Sequence, residues 1–276
     1  MNIRKLLFPK VFPLVGLILS PLIAVESLAQ PSDPPLSHRY RQAIQDAALV
    51  EEGENVSGLI EINSNNNHLV WNEDRSKILV VTWKSTSSYE KHIKPFTQTV
   101  KDEKHPIWVT VAPQLQDFCQ KYLQANPQAT PEELATRIKQ YLGLAPDWSY
   151  DIFVEMWVHP KDLVRPCVDH DPRDDQCQLA FDKSDVLDNP KRKPEEVKGQ
   201  TPGAKIEDYQ RFFYILYFNS IRSSKQPWTG LGYTYDWGNP IRPVGASEFI
   251  LIPGAEYTVE TGEDGPKNTL KYCQAE

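Results

Sequence analysis

Lys77-Ile78-Leu79-Val80-Val81-Thr82-Trp83-Lys84 is the stretch on which the fold turns. Two lysines bound six residues dominated by β-branched and aromatic side chains, and such a run reads as a strand. Ile107-Trp108-Val109-Thr110-Val111 reads as a second strand, with Ile107, Val109 and Val111 on one face. Residues 151–158 read as a third. Their period of two sets Phe153, Glu155 and Trp157 against Ile152, Val154, Met156 and Val158.

Helical patterns lie between the strands. Ser37 can cap a helix running through Arg41, Ile44 and Ala48 toward Glu51. Leu115, Phe118, Cys119, Tyr122 and Leu123 recur at the spacing of an amphipathic helix. Thr130-Pro131-Glu132-Glu133 is a capping box with proline at the first helical position, and Gly143 closes that helix. Tyr209, Phe212, Phe213, Leu216 and Tyr217 mark another helix, whose stripe should pack on the sheet. Phe249 to Ile252 and Tyr257 to Glu260 read as a closing hairpin around Pro253-Gly254. Residues 161–203, acidic and rich in proline, read as one long irregular excursion. Strands and helices interleave without strict alternation. The expected architecture is therefore one α+β domain with a mostly antiparallel sheet, three to four helices and two disulfides. A split into two subdomains near residue 145 is the alternative.

The N-terminus has the form of a secretory signal. Arg4, Lys5 and Lys10 precede an apolar run from Val11 to Val25, and Ser27-Leu28-Ala29 offers a cleavage site before Gln30. Pro13 and Pro21 and the short length argue against a membrane span. The expected division is 1–29 signal, 30–36 leader and 37–276 domain, in an exported chain that is periplasmic or extracellular. Loss of three basic residues and Glu26 takes the net charge from −7 to −9. That acidity argues against nucleic acid as a partner. No later apolar run approaches membrane-spanning length.

Cys119, Cys167, Cys177 and Cys273 make an even count, which in an exported chain suggests two disulfides. Cys167 and Cys177 bracket a short loop and are the local pair. Cys119 with Cys273 follows by elimination. Zinc is the competing reading, but no C-x-x-C spacing is present. Asp169, Asp171, Asp174 and Asp175 could serve calcium, although their spacing is not that of an EF-hand and Arg165 and Arg173 offset their charge. The expectation is no metal and no cofactor.

Two segments carry the candidate site. Glu155 stands between Phe153 and Trp157, where desolvation could raise its pKa. Residues 227–240 hold Trp228, Tyr233, Tyr235 and Trp237 among three glycines and Asp236. Such aromatics give rigid contact area, and glycines allow close approach. The plainer reading is a loop that folds inward and caps the core. The catalytic signatures G-x-S-x-G, H-E-x-x-H and G-x-x-x-x-G-K-[ST] are missing.

The blocks Phe153-Val154-Glu155-x-Trp157-Val158, Asp162-Leu163-x-Arg165-Pro166-Cys167 and residues 227–238 resemble those of a family of exported bacterial proteins common in cyanobacteria. With Gln114 to Cys119 and Gly245-x-Ser247-Glu248-Phe249, the similarity covers most of residues 78–273. The resemblance implies export and a single domain, and it transfers no catalytic role. Two functions stay open. One is a module binding an envelope component or other ligand through Trp157, Arg165, Trp228, Tyr233, Tyr235 and Trp237. The other is an envelope hydrolase of the glycan type, with two of Glu155, Asp236 and Glu248 as a carboxylate pair.

Overall fold

In a computed structural model of the chain, residues 35–182, 189–261 and 265–274 are described. Residues 1–29, read from the sequence as a signal, lie outside them, as does the expected leader up to residue 34. Helix α1 (Leu36–Asp46) precedes β1 (Ile78–Lys84), α2 (Thr86–His92) and β2 (Ile107–Val111). Helices α3 (Gln114–Ala125) and α4 (Pro131–Tyr141) lead to β3 (Ile152–Val158) and β4 (Leu163–Val164). The hairpin β5 (Val197–Lys198) and β6 (Lys205–Ile206) precedes α5 (Tyr209–Tyr217), which runs into a π-helical segment, Phe218–Ser223. Strands β7 (Tyr233–Tyr235), β8 (Val244–Ser247), β9 (Phe249–Leu251), β10 (Tyr257–Val259) and β11 (Lys267–Asn268) come before α6 (Thr269–Gln274).

The expected central strand is central. β1 pairs antiparallel with β2 and β3, and the order across the sheet is β10-β3-β1-β2-β9-β4, with β11 also on β3. All of these pairings are antiparallel, so the fold is α+β with a mostly antiparallel, curled sheet. Curling is forced by the chain. β9 and β10 lie four strand spacings apart in the order, roughly 19 Å in a flat sheet. Only residues 252–256 join them, with a turn at Pro253-Gly254.

Both sheet faces are covered. Ile78, Val80, Val154, Met156 and Val158 join a large cluster with Phe249, Ile250 and the α5 residues Tyr209, Phe212 and Leu216. Val81, Trp83 and Phe153 point the other way, onto Leu115 and Cys119 of α3, Leu134 and Ile138 of α4, and Tyr272 of α6. The capping box forms as expected: Glu133 N–H donates to Thr130 Oγ1 at 3.2 Å, and Thr130 N–H donates to Glu133 Oε2 at 2.8 Å. Gly143 takes a positive φ of 66° just past the end of α4.

Both disulfides form, with Cα separations of 5.4 Å for Cys119–Cys273 and 6.1 Å for Cys167–Cys177. The first ties α3 to α6 across a sequence separation of 154 residues. Closing so long a loop is worth roughly 5 kcal/mol on the chain-entropy account. Two disulfides fit an oxidising compartment. With all four thiols joined, the zinc reading loses its ligands. No helix among the described residues is long and apolar enough to cross a membrane.

Several expectations are corrected. Six α-helices stand among the described residues instead of three to four. Pro35, not Ser37, takes the N-cap of α1, so Leu36 belongs to the helix rather than the leader. Residues 249–252 and 257–260 do not pair with each other, because β9 adds to β2 and β10 adds to β3. The excursion 161–203 is tied down where it is described. Buried Asp162 accepts from Gln200 N–H and from Thr201 N–H and Oγ1. β4 joins the main sheet, and β5 begins the hairpin.

Candidate functional site

Residues 227–240 fold inward, and their polar atoms are used up in doing so. Thr229 Oγ1 donates to Tyr233 O at 2.7 Å, and Thr234 Oγ1 donates to Tyr141 O at 2.6 Å. Tyr233 OH donates to Glu54 O, Tyr235 OH to Asp46 Oδ2, and Trp237 Nε1 to Leu144 O. Asp236 receives both arms of Arg137, at 2.8 and 2.6 Å, and Gly238 N–H as well. Gly232 has a φ of 75°, and a Cβ there would stand 2.6 Å from Arg165 Cδ. Only glycine lets the chain pass that close to the arginine.

Arg165 is wholly buried. Its Nη2 donates to Ile60 O and Asp174 O, both at 2.8 Å, and its guanidinium lies 4.9 Å from the centroid of the Phe249 ring. It therefore knits residues 60, 165 and 174 together below the surface. The aspartates around it are also engaged. Asp171 pairs with Arg173, Asp169 accepts from Gln178 N–H, and Asp175 accepts from Gly58 N–H. Asp174 is raised above the usual carboxylate range by burial.

Glu155 lies on the β3 face read from the sequence, but its partner is Lys267 at 2.8 Å. Trp157 Nε1 donates to Glu260 Oε2 at 2.6 Å. Glu155 and Asp236, expected to share one pocket, are each held by a separate cation, and neither lines the cavity described next. Trp157, Arg165, Tyr233 and Trp237 are likewise absent from its lining. Trp228, Tyr235 and Glu248 are present.

That cavity has a volume of about 330 Å³. Its floor is a strip of the sheet: Val81 and Trp83 of β1, Trp108 and Thr110 of β2, and Glu248 just before β9. Its walls are the segment 142–150, the π-helical segment and the start of the 227–240 loop. Lys84, Lys104 and His105 also line it. The aromatics are fixed by their neighbours. Trp83 stacks on Tyr150 with centroids 5.2 Å apart, and Trp108 meets Trp228 edge-on at 6.1 Å.

Two polar groups face this aromatic space. The β2–β9 register pairs Val109 with Phe249, so Thr110 and Glu248 stand one step further along and on the side of Trp108. Glu248 is 6% exposed. Its Oε1 accepts from Trp228 Nε1 at 3.0 Å, and among the described residues this is the one hydrogen bond its carboxyl makes. Burial pushes its pKa up to about 8; the Trp228 N–H and the charge of Arg165 pull it down by less. Burial thus favours the neutral acid over the carboxylate. Thr110 Oγ1 is buried with no hydrogen-bond partner among the described residues. Burial also lowers the Lys84 ammonium. Reading the sequence missed Thr110, because an alternating strand gives no sign that one of its polar positions faces a cavity.

The chain matches no protein-family model, no curated protein and no solved structure.

Proposed function

We propose that this protein is an exported binding module that takes a small, largely apolar ligand into the cavity beneath Trp228. The observation that supports this reading most is the convergence of pinned aromatic rings on a buried glutamic acid and an unpartnered threonine hydroxyl. Ligand sites combine mostly apolar walls with a few placed polar groups in this way. Part of the wall is the aromatic and glycine loop singled out by sequence, through Trp228 and Tyr235. Export is supported by the signal-like N-terminus and by the two disulfides. The carboxylate-pair hydrolase reading finds less support. Acid–base cleavage of a glycoside requires two carboxyls, and Glu248 is the one carboxyl lining the cavity among the described residues.

The test is titration of the purified chain with the neutral fluorescent probe N-phenyl-1-naphthylamine. Saturable one-to-one binding is expected, and Ser220→Phe should abolish it while near-UV circular dichroism stays native. Binding that ignores Ser220→Phe, or no binding, would reject the cavity as the site.

A further inference from the structure

We propose that the cavity selects an uncharged, planar ligand through a carbonyl oxygen, held by two donated hydrogen bonds, one from Glu248 and one from Thr110. This rests on the cavity being the binding site and names the chemistry it recognises.

Trp228 Nε1–H already occupies Oε1 of Glu248, so Oε1 serves as the acceptor of the acid. A proton on this acid would then sit on Oε2, which is not taken by Trp228. Thr110 Oγ1 lies on the neighbouring strand facing the same space, and its hydroxyl is also unspent. A buried hydroxyl without a partner is costly, and Oε2 of the acid has its bonding capacity still open. One acceptor oxygen between them would satisfy both. A carbonyl oxygen has two lone pairs and can accept both bonds at once.

The charges around the cavity argue against the other obvious occupant of an aromatic box, an organic cation. Arg165 lies behind Glu248, and its charge acts on that carboxyl. Lys84, Lys104 and His105 line the cavity. The remaining titratable groups there are Tyr150 and Tyr235, both held neutral by burial that raises them. A cation would meet lysines and would have to drive a proton off Glu248. A neutral molecule pays neither cost. The aromatic walls favour a flat one, because Trp83 against Tyr150 and Trp108 against Trp228 are set before any ligand arrives.

Three probes of matched two-ring shape test this by calorimetry on the full chain: coumarin, with a carbonyl; naphthalene, without one; and N-methylquinolinium, a cation. Coumarin should bind about tenfold tighter than naphthalene, the worth of roughly one to two net hydrogen bonds. Its affinity should fall as pH rises through about 8, because ionised Glu248 cannot donate and repels the acceptor. Glu248→Gln, whose amide still donates, should keep the preference for coumarin and lose the pH dependence. Thr110→Val should weaken coumarin severalfold and leave naphthalene unchanged. Naphthalene binding as tightly as coumarin would overturn the proposal while leaving the cavity as the site. Tighter binding of N-methylquinolinium, rising with pH, would overturn it in favour of a cation site. Failure of all three probes would remove the site itself.

Discussion

Asp236 and Glu248 are both buried acids, and the chain handles them in opposite ways. In the 227–240 loop, Asp236 has both oxygens on Arg137 and a backbone N–H besides. In the cavity floor, Glu248 has one indole N–H and, among the described residues, no ion pair, and burial pushes its pKa up to about 8. The same contrast separates two threonines. Thr234 donates to Tyr141 O and accepts from Ala246 N–H, whereas Thr110 does neither. The aromatic loop looked like the site by composition, yet nearly all its hydrogen-bonding capacity is spent on the fold. On the quieter strip of sheet beneath it, Thr110 Oγ1 stays unpartnered among the described residues and faces the cavity.

The contrast can be broken first at Asp236. Arg137→Met would leave that carboxylate buried without its cation. Removing one member of a buried pair is strongly destabilising, and Arg137 retains 22% exposure. The expected loss is therefore about 3 kcal/mol, at the lower end for such pairs, read by urea unfolding. Ligand capture by the fraction still folded should not change. A loss under about 1 kcal/mol would mean that the pair is no staple.

A second prediction separates the two acids by pH. Glu248 keeps its proton up to about pH 8 when folded, whereas an unfolded glutamate releases it near 4.5. The folded state therefore holds the extra proton between those values, and stability from this group declines as pH rises across that window. Relative to Glu248→Gln, the native protein should lose on the order of 1 kcal/mol per pH unit over that range. Parallel stability curves for the two proteins would place Glu248 in the ordinary carboxylate range.

The smallest effects belong to the threonines. Thr234→Val should cost about 1–2 kcal/mol, because it strands Ala246 N–H and Tyr141 O. Thr110→Val should cost nothing and could gain up to about 1 kcal/mol, since no partner is lost. Equal losses at the two positions in thermal unfolding would erase the distinction.

Much of the fold was legible because its signals are local. A β-branched and aromatic run announces β1, alternation announces β2 and β3, the capping box announces α4, and an even count of four cysteines behind a signal-like N-terminus announces two bridges. What was missed has physical reasons. Helix α2 is seven residues long, Thr-Ser-Ser-Tyr-Glu-Lys-His, with no apolar period, and it starts because Ser85 caps Ser88 N–H. Helix α6 is six residues long and is fastened by Cys273. The false hairpin arose because β9 and β10 are neighbours in sequence but find their partners in β2 and β3, far along the chain. The aromatic stripe of α5 buries Phe212 and leaves Phe213 half-buried against Trp228, a distinction finer than periodicity can make. Trp228 and Tyr235 stand out by the aromatic content of their loop, and Glu248 enters only as one of three acids for a carboxylate pair; all three line the cavity. Glu155, Trp157, Arg165 and Asp236 were expected at the site too, yet they met Lys267, Glu260, Asp174 O and Arg137, partners that no local pattern reveals.

Ligand selection by the cavity depends on Glu248 standing there as a neutral acid. The most direct measurement is the ¹³C chemical shift of its side-chain carboxyl, followed from pH 4 to 10 in glutamate-labelled protein and assigned by difference against Glu248→Gln. A carboxyl still protonated at pH 7, with a midpoint near pH 8, is the predicted result. A carboxylate already ionised at pH 6, with its midpoint in the ordinary range for glutamate, would contradict the account.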